Sequence, residues 1–173
     1  MDTNEVLTLI SIIVTFSIGI TGFAFTVYQI AKSNKVKHAE FIEELLRNIR
    51  LNERVIEATY LIDYNRNWYN DAFHGGSENE KNIDALFSQL DFICYLYFES
   101  LLKKKDFSIF KYEIKRVCHN SQCRNYLWDL YHWSKKECSY NNLIRFLKTQ
   151  LKKTELSLFE DKNCTQYKKF LNF

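Results

Sequence analysis

The run from Val6 to Ala31 contains no charged residue, is apolar along most of its length, and is followed directly by Lys32, Lys35 and Lys37. A helix needs about 20 apolar residues to cross a hydrocarbon layer of about 30 Å, so this run spans with a few residues to spare. A cleaved secretory signal would need a basic start, a shorter apolar core and a small-residue cleavage site. The residues ahead of the run instead carry Asp2 and Glu5, while all 24 Lys and Arg lie at Lys32 or later. By the positive-inside rule this asymmetry places the N-terminus outside and the rest in the cytoplasm, as a single-pass protein of the inner (cytoplasmic) membrane. The expected division is a transmembrane helix over 1–31 and a cytoplasmic α-helical domain over 32–173.

About 140 residues follow the span, enough for one core and too few for tandem domains. The five cysteines, Cys94, Cys118, Cys123, Cys138 and Cys164, would face a reducing compartment in no disulfide spacing, and they read as free thiols. Only Asp2 and Glu5 of the 21 acidic residues precede the span, so the remainder carries a net charge of +5. That balance suits a domain close to anionic lipid or RNA without requiring either.

Within the span, Thr8, Ser11, Thr15, Gly19, Gly22 and Thr26 recur in steps of three and four. At about 100° per residue they share an arc of roughly 80° on one helix face. Close helix packing uses small residues to bring backbones together and lets hydroxyls bond across the contact, so the stripe predicts self-association. A bolder form of the same reading is a ring of about five or more copies around a water-filled hole lined by these residues. With no charged ring inside the span, such a pore would be weakly selective, gated by wetting or by movement of the cytoplasmic domain. Ser17 and Thr21 lie off the stripe.

Beyond the span there is no proline, and Gly75 and Gly76 are the only glycines. The expected fold is therefore all-α: a transmembrane helix joined to a cytoplasmic helical bundle. The first helix is expected to run through Tyr64, with Ile42, Leu45, Ile49, Ile56 and Thr59 on one stripe. Asn52 falls on that stripe and would either be tolerated there or set register between copies. After a polar loop from Asn65 to Asn79, Ser77 and Glu80 fit a capping box. The helix they open buries Ile83, Leu86, Leu90, Ile93, Tyr97 and Leu101, and Lys103, Lys104 and Lys105 suit its C-terminal end. Three shorter helices are expected at Ser108 to His119, Arg124 to Lys136 and Asn141 to Lys153. The tail from Thr154 onward would hold Phe159, Phe170 and Phe173 against the bundle if it forms a last helix.

Four features bear on chemistry. Cys118, His119 and Cys123 lack the second ligand pair of a zinc site, and no metal or other cofactor is expected. His74 beside Gly75 and Gly76 lacks the lysine and flanking strand of a phosphate loop and reads as a flexible turn. Basic residues gather at Lys135 and Lys136 and at Arg145, Lys148, Lys152 and Lys153, forming a solvated face or a contact for anionic lipid or RNA backbone. Asp91 borders the apolar face of its helix between Leu90 and Phe92 and needs a partner, for which Arg124 and His132 are candidates.

The stretch Arg124-Asn125-Tyr-Leu-Trp-Asp-Leu-Tyr-His132 places Asn125 and His132 on one helix face, seven positions apart. It resembles the signature of the HEPN superfamily, helical domains that often cleave RNA when two copies dimerise. There, an Arg followed by a polar residue, with four to six residues between the Arg and a His, orients the ribose hydroxyl and the scissile phosphate together with that His. In this chain Asn125 stands where that spacing needs the Arg, and Asn does not neutralise a phosphate as a guanidinium does. The pattern is thus that of a degenerate site or of an ordinary amphipathic helix holding His132 among Trp128, Tyr131 and Trp133.

With its single N-terminal span and short helical domain, the whole layout resembles the small membrane accessory proteins of type VI-B CRISPR systems. That resemblance implies a homo-oligomeric, pore-forming ring that depolarises the cell after an RNA-guided nuclease detects foreign RNA. The alternatives are a membrane-anchored HEPN-like ribonuclease acting through Arg124, Asn125 and His132, and an anchored adaptor that recruits a partner.

Overall fold

The computed structural model describes residues 2–64, 66–134 and 139–150, with the backbone alone at 5, 6, 9, 10 and 150. All regular structure among them is helical. The chain divides into two units that part between Glu44 and Leu45. The apolar run itself ends at Ala31, so the charged stretch that follows belongs with the first unit.

Helix α1 runs without interruption over Thr3–Arg50, 48 residues, or about 70 Å of helix. It is long and apolar enough to cross a membrane, with a mean hydropathy of 1.7 in its most apolar window, none of which is buried. Phe16, Ile18 and Phe23 are between 67% and 73% exposed. In water such a surface would cost about 25 cal/mol per Å².

The second unit holds the core. Helix α1 does not run to Tyr64 as its stripe suggests: it stops at Arg50, and α2 begins afresh at Glu53–Asp63. The physical reason is Asn52, whose exposed side chain accepts from the backbone N–H of Arg54 (3.0 Å) and Val55 (3.4 Å). An N-cap of this kind satisfies amides that a continuous helix would have satisfied itself, and it turns the chain. Asn52 is therefore a cap and not a buried register-setting residue.

Helix α3 covers Glu78–Phe98 and opens as the capping-box pattern predicts, with Ser77 Oγ accepting from Glu80 N at 3.1 Å. The return arm is displaced by one residue, because Glu80 accepts from Gly76 N at 2.6 Å. Ile83, Leu86, Leu90 and Ile93 are buried as expected, with Phe87 and Cys94 beside them. The helix ends before Leu101. Ser100 adopts a left-handed φ of 59°, and the amides of Leu101 and Leu102 both donate to Leu96 O at 2.9 Å. This turn exposes Leu101 and buries Leu102 in its place, and Lys103, Lys104 and Lys105 pass to the start of the single-turn helix α4, Lys104–Phe107.

Three more helices complete the described chain: α5 over Lys111–His119, α6 over Ser121–Trp133 and α7 over Asn141–Gln150. Helix α3 packs against α2 and α7, and α5 packs against α6 and α7. The tail with Phe159, Phe170 and Phe173 lies outside the described residues, as do Lys135, Lys136, Lys152, Lys153, Cys138 and Cys164. The segment joining α2 to α3 is less polar in practice than in sequence: Trp68, Tyr69 and Phe73 are buried. All three rings meet Tyr126 of α6, Phe73 most closely at 4.9 Å. Gln122 fastens the same segment through both amide atoms, accepting from Tyr69 N at 3.0 Å and donating to Arg66 O at 2.8 Å.

Candidate functional site

Thr8, Ser11, Thr15, Gly19, Gly22 and Thr26 are all exposed on α1. Ser11, Thr15 and Gly19 border a shallow groove flanked by Ile12, Phe16, Ile20 and Phe23, while Gly22 and Thr26 lie beside it. A Cβ added at Gly19 or Gly22 meets no atom within 4 Å. Nothing among the described residues therefore requires glycine at either position, although glycine in a helix interior costs about 1 kcal/mol relative to alanine. The hydroxyls of Thr8 and Thr26 donate to the carbonyls four residues earlier, at 2.8 and 2.9 Å. Off the stripe, Ser17 and Thr21 do the same at 2.7 and 2.5 Å. The hydroxyls of Thr8 and Thr26 are thus satisfied within the helix and offer acceptor lone pairs, beside the close-approach surface of the two glycines.

On α6, Asn120 caps the helix by accepting from Cys123 N at 3.0 Å. Asn125 is exposed and His132 is half-buried, its ring edge-on to Trp128 at 5.6 Å and to Tyr131 at 5.4 Å. The aromatic setting expected for an amphipathic-helix histidine is thus present. Arg124 is half-buried, and its guanidinium reaches back to Cys118 O at 3.5 Å, the carbonyl near the end of α5.

Asp91 has a task of its own. Its carboxylate accepts from Leu143 N at 2.8 Å and from Asn142 Nδ2 at 3.2 Å, capping the first turn of α7 from across the core. A carboxylate at a helix N-terminus answers both the open amides and the helix dipole. The partner anticipated on α6 is thus supplied by α7.

The polar residues that the structure does gather are ones the sequence reading passed over. Asp84 on α3 accepts from the phenols of Tyr126 and Tyr140, each at 2.9 Å. Burial pushes its carboxyl upward against the lowering effect of those two bonds. Asp129, inside the motif segment and 2% exposed, accepts a short hydrogen bond from the Tyr69 phenol. Its other oxygen has no partner among the described residues, and burial pushes its carboxyl up to about 6. The Tyr69 and Tyr126 phenols are held well above their usual range, foremost by burial and then by the neighbouring carboxylates. His74 Nδ1 lies 3.2 Å from Glu80 Oε1, and its ring packs against Phe73 and Tyr126. Gly75 and Gly76 both take positive φ, 97° and 84°, so the turn is built on glycine and pinned at the histidine. This network ties the α2–α3 segment to α6 and α7.

Comparison of the chain with family models, curated proteins and solved structures gives no match. Cys94, Cys118 and Cys123 are free and buried. Burial pushes the Cys118 thiol up to about 12 and the other two upward as well, which disfavours the thiolate needed for nucleophilic or metal chemistry. Among the described residues no group of three His, Cys, Asp or Glu is placed to hold a metal ion. Of the basic face on α7, Arg145 sits 3.9 Å above the Phe98 ring, and Lys148 donates to Tyr131 Oη at 3.1 Å. Lys148 is half-buried, so this part of the face is packed as well as solvated.

Proposed function

We propose that the protein inserts α1 across the inner membrane, N-terminus outside, and assembles into a homo-oligomeric ring whose spans enclose a pore. In this reading it is a non-enzymatic effector that permeabilises or depolarises the membrane in support of bacterial antiviral, CRISPR-linked defence. The observation that carries the assembly is the combination on α1 of an unburied apolar window with two glycines that nothing among the described residues requires. An unburied apolar helix suits lipid, and glycines aligned with Ser11, Thr15 and Thr26 suit another copy of the same helix. The defence role is supported by the resemblance in layout: one N-terminal span and a short all-helical domain.

The test is Gly22→Leu. Because the added side chain has open space within the chain and leucine favours helix, the variant should fold and insert as well as the parent. It should nevertheless lose assembly and ion leakage in cells. Intact assembly and leakage in both Gly22→Leu and Thr15→Leu would refute the proposal. His132→Ala should lower leakage only insofar as it lowers assembly.

A ribonuclease reading keeps one specific support, the exposed Asn125 on the same face of α6 as the His132 ring. It requires that the detergent-solubilised full chain cut RNA and that His132→Ala stop it. Failure to cut a broad set of RNAs would remove this reading.

A further inference from the structure

At the C-terminal end of α3 the helical domain is hollowed by a cavity of about 400 Å³. Its origin is local. The left-handed turn at Ser100 ends α3, and the chain then passes through the single turn of α4 before α5 starts at Lys111. Short elements meeting at angles leave space that a long helix ridge would fill. Tyr97, Phe98, Phe107 and Phe146 wall the cavity, with Lys104 and Lys111 among its lining residues.

The aromatic walls are set in place by their own packing. The Tyr97 and Phe107 rings stack at 4.1 Å and 21°, and Phe107 meets Phe146 edge-on at 5.4 Å. Arg145 lies over the Phe98 ring at 3.9 Å from its centroid. The charge around them is mostly positive: from Lys103 to Glu113 the chain carries Lys103, Lys104, Lys105 and Lys111 against Asp106 and Glu113, and Glu113, in the first turn of α5, is paired with Arg116 at 3.1 Å. Lys104 and Lys111 are exposed, and neither enters an ion pair among the described residues. Helix α5 also begins at Lys111 with no side-chain cap, so its first amides and the positive end of its dipole lie at the same place.

A cavity of this size takes one small ligand and is too small for the paired chains of a phospholipid. Aromatic walls favour a flat ring system, and two unpaired ammonium groups beside an open helix start favour phosphate. We propose that this cavity binds a nucleotide, the base lying against Tyr97, Phe98 and Phe146 and the phosphate lying between Lys104 and Lys111. The site is independent of the span and of the α6 motif, and would let the helical domain respond to a soluble signal.

The test uses the full-length protein in detergent, titrated with N-methylanthraniloyl-AMP and competed with AMP, adenosine, inorganic phosphate and phosphatidylglycerol nanodiscs. AMP should compete at concentrations at least tenfold lower than adenosine or phosphate, because only AMP engages both halves of the site. Lys104→Glu with Lys111→Glu should weaken binding at least tenfold. Ser108→Trp, which fills the cavity while keeping both lysines, should do the same with an unchanged melting temperature. Lys81→Glu, at the opposite end of α3, should bind as the parent does. The proposal fails if the probe does not bind, or if phosphate or phosphatidylglycerol competes as well as AMP. It also fails if Lys81→Glu weakens binding as much as the Lys104 and Lys111 changes.

Discussion

The apolar part of α1 and the helical domain spend their hydrophobic residues in opposite ways. In the domain, Phe87, Leu90, Ile93 and Leu127 are fully enclosed by other elements of the same chain. In α1, Ile12, Phe16, Ile18 and Phe23 touch little beyond their own helix and remain more than 60% exposed. The domain encloses its own core, whereas the apolar window of α1 is left uncovered by the rest of the described chain. The same contrast holds for polar groups. In the domain, carboxylates and phenols find partners tens of residues away, as Asp84 does with Tyr126 and Tyr140. In the span, the hydroxyls of Thr8, Ser17, Thr21 and Thr26 bond only one turn back along their own helix. On the proposed reading, stability is written in the domain and assembly in α1.

The largest effect that would sharpen this contrast comes from the core. Phe87→Ala should lower the stability of the domain by about 3 to 5 kcal/mol, the usual cost of a large cavity. Phe16→Ala should leave domain unfolding, followed by urea in detergent, within about 0.5 kcal/mol of the parent. Equal losses from both would break the division. Next in size is Tyr69→Phe, which strips the buried Asp129 carboxylate of its phenol partner and should cost about 1 to 3 kcal/mol by thermal melting. Asn52→Ala removes the α2 cap and should cost about 1 kcal/mol. Amide exchange should then quicken at Arg54 and Val55 before it changes in α3.

A further effect is one of pH. The Asp129 carboxyl stands at about 6 in the folded chain against an ordinary 3.8. Between those values the folded state holds a proton that the unfolded state has released, so the contribution of this group to stability falls as pH rises from about 4 to about 6. Asp129→Asn removes the titration. The stability of the parent minus that of the variant should accordingly decline over that window and level off above it. A difference that is flat with pH would contradict the buried carboxyl.

Local patterns were readable from sequence, and long-range pairings were not. Ser77 and Glu80 carry a start signal within four residues, and the buried row Ile83, Leu86, Leu90, Ile93 follows from helical period alone. The Asn52 break was illegible because an asparagine on an apolar stripe fits a core position and a cap equally well, and only the chain direction after it decides. Trp68, Tyr69 and Phe73 sit in a segment without periodicity, so their burial depends on Tyr126, more than fifty residues on. In the motif segment, spacing placed Asn125 and His132 on one face. Asp129 stands three residues after Tyr126, on the same inward row, and its acidic side chain hides its burial from a reading by hydrophobic period. Asp91 reads from sequence as an acid in need of a partner, but its partner is a helix start, which carries no charge to look for.

The central claim is that the glycines and hydroxyls of α1 meet other copies of α1. The most direct measurement is the mass and symmetry of full-length particles in nanodiscs, imaged one by one. The account predicts closed rings of about five or more copies with an axial opening, lost in Gly22→Leu. Solitary chains, whose positions 11, 15 and 22 cross-link to lipid alone, would contradict it.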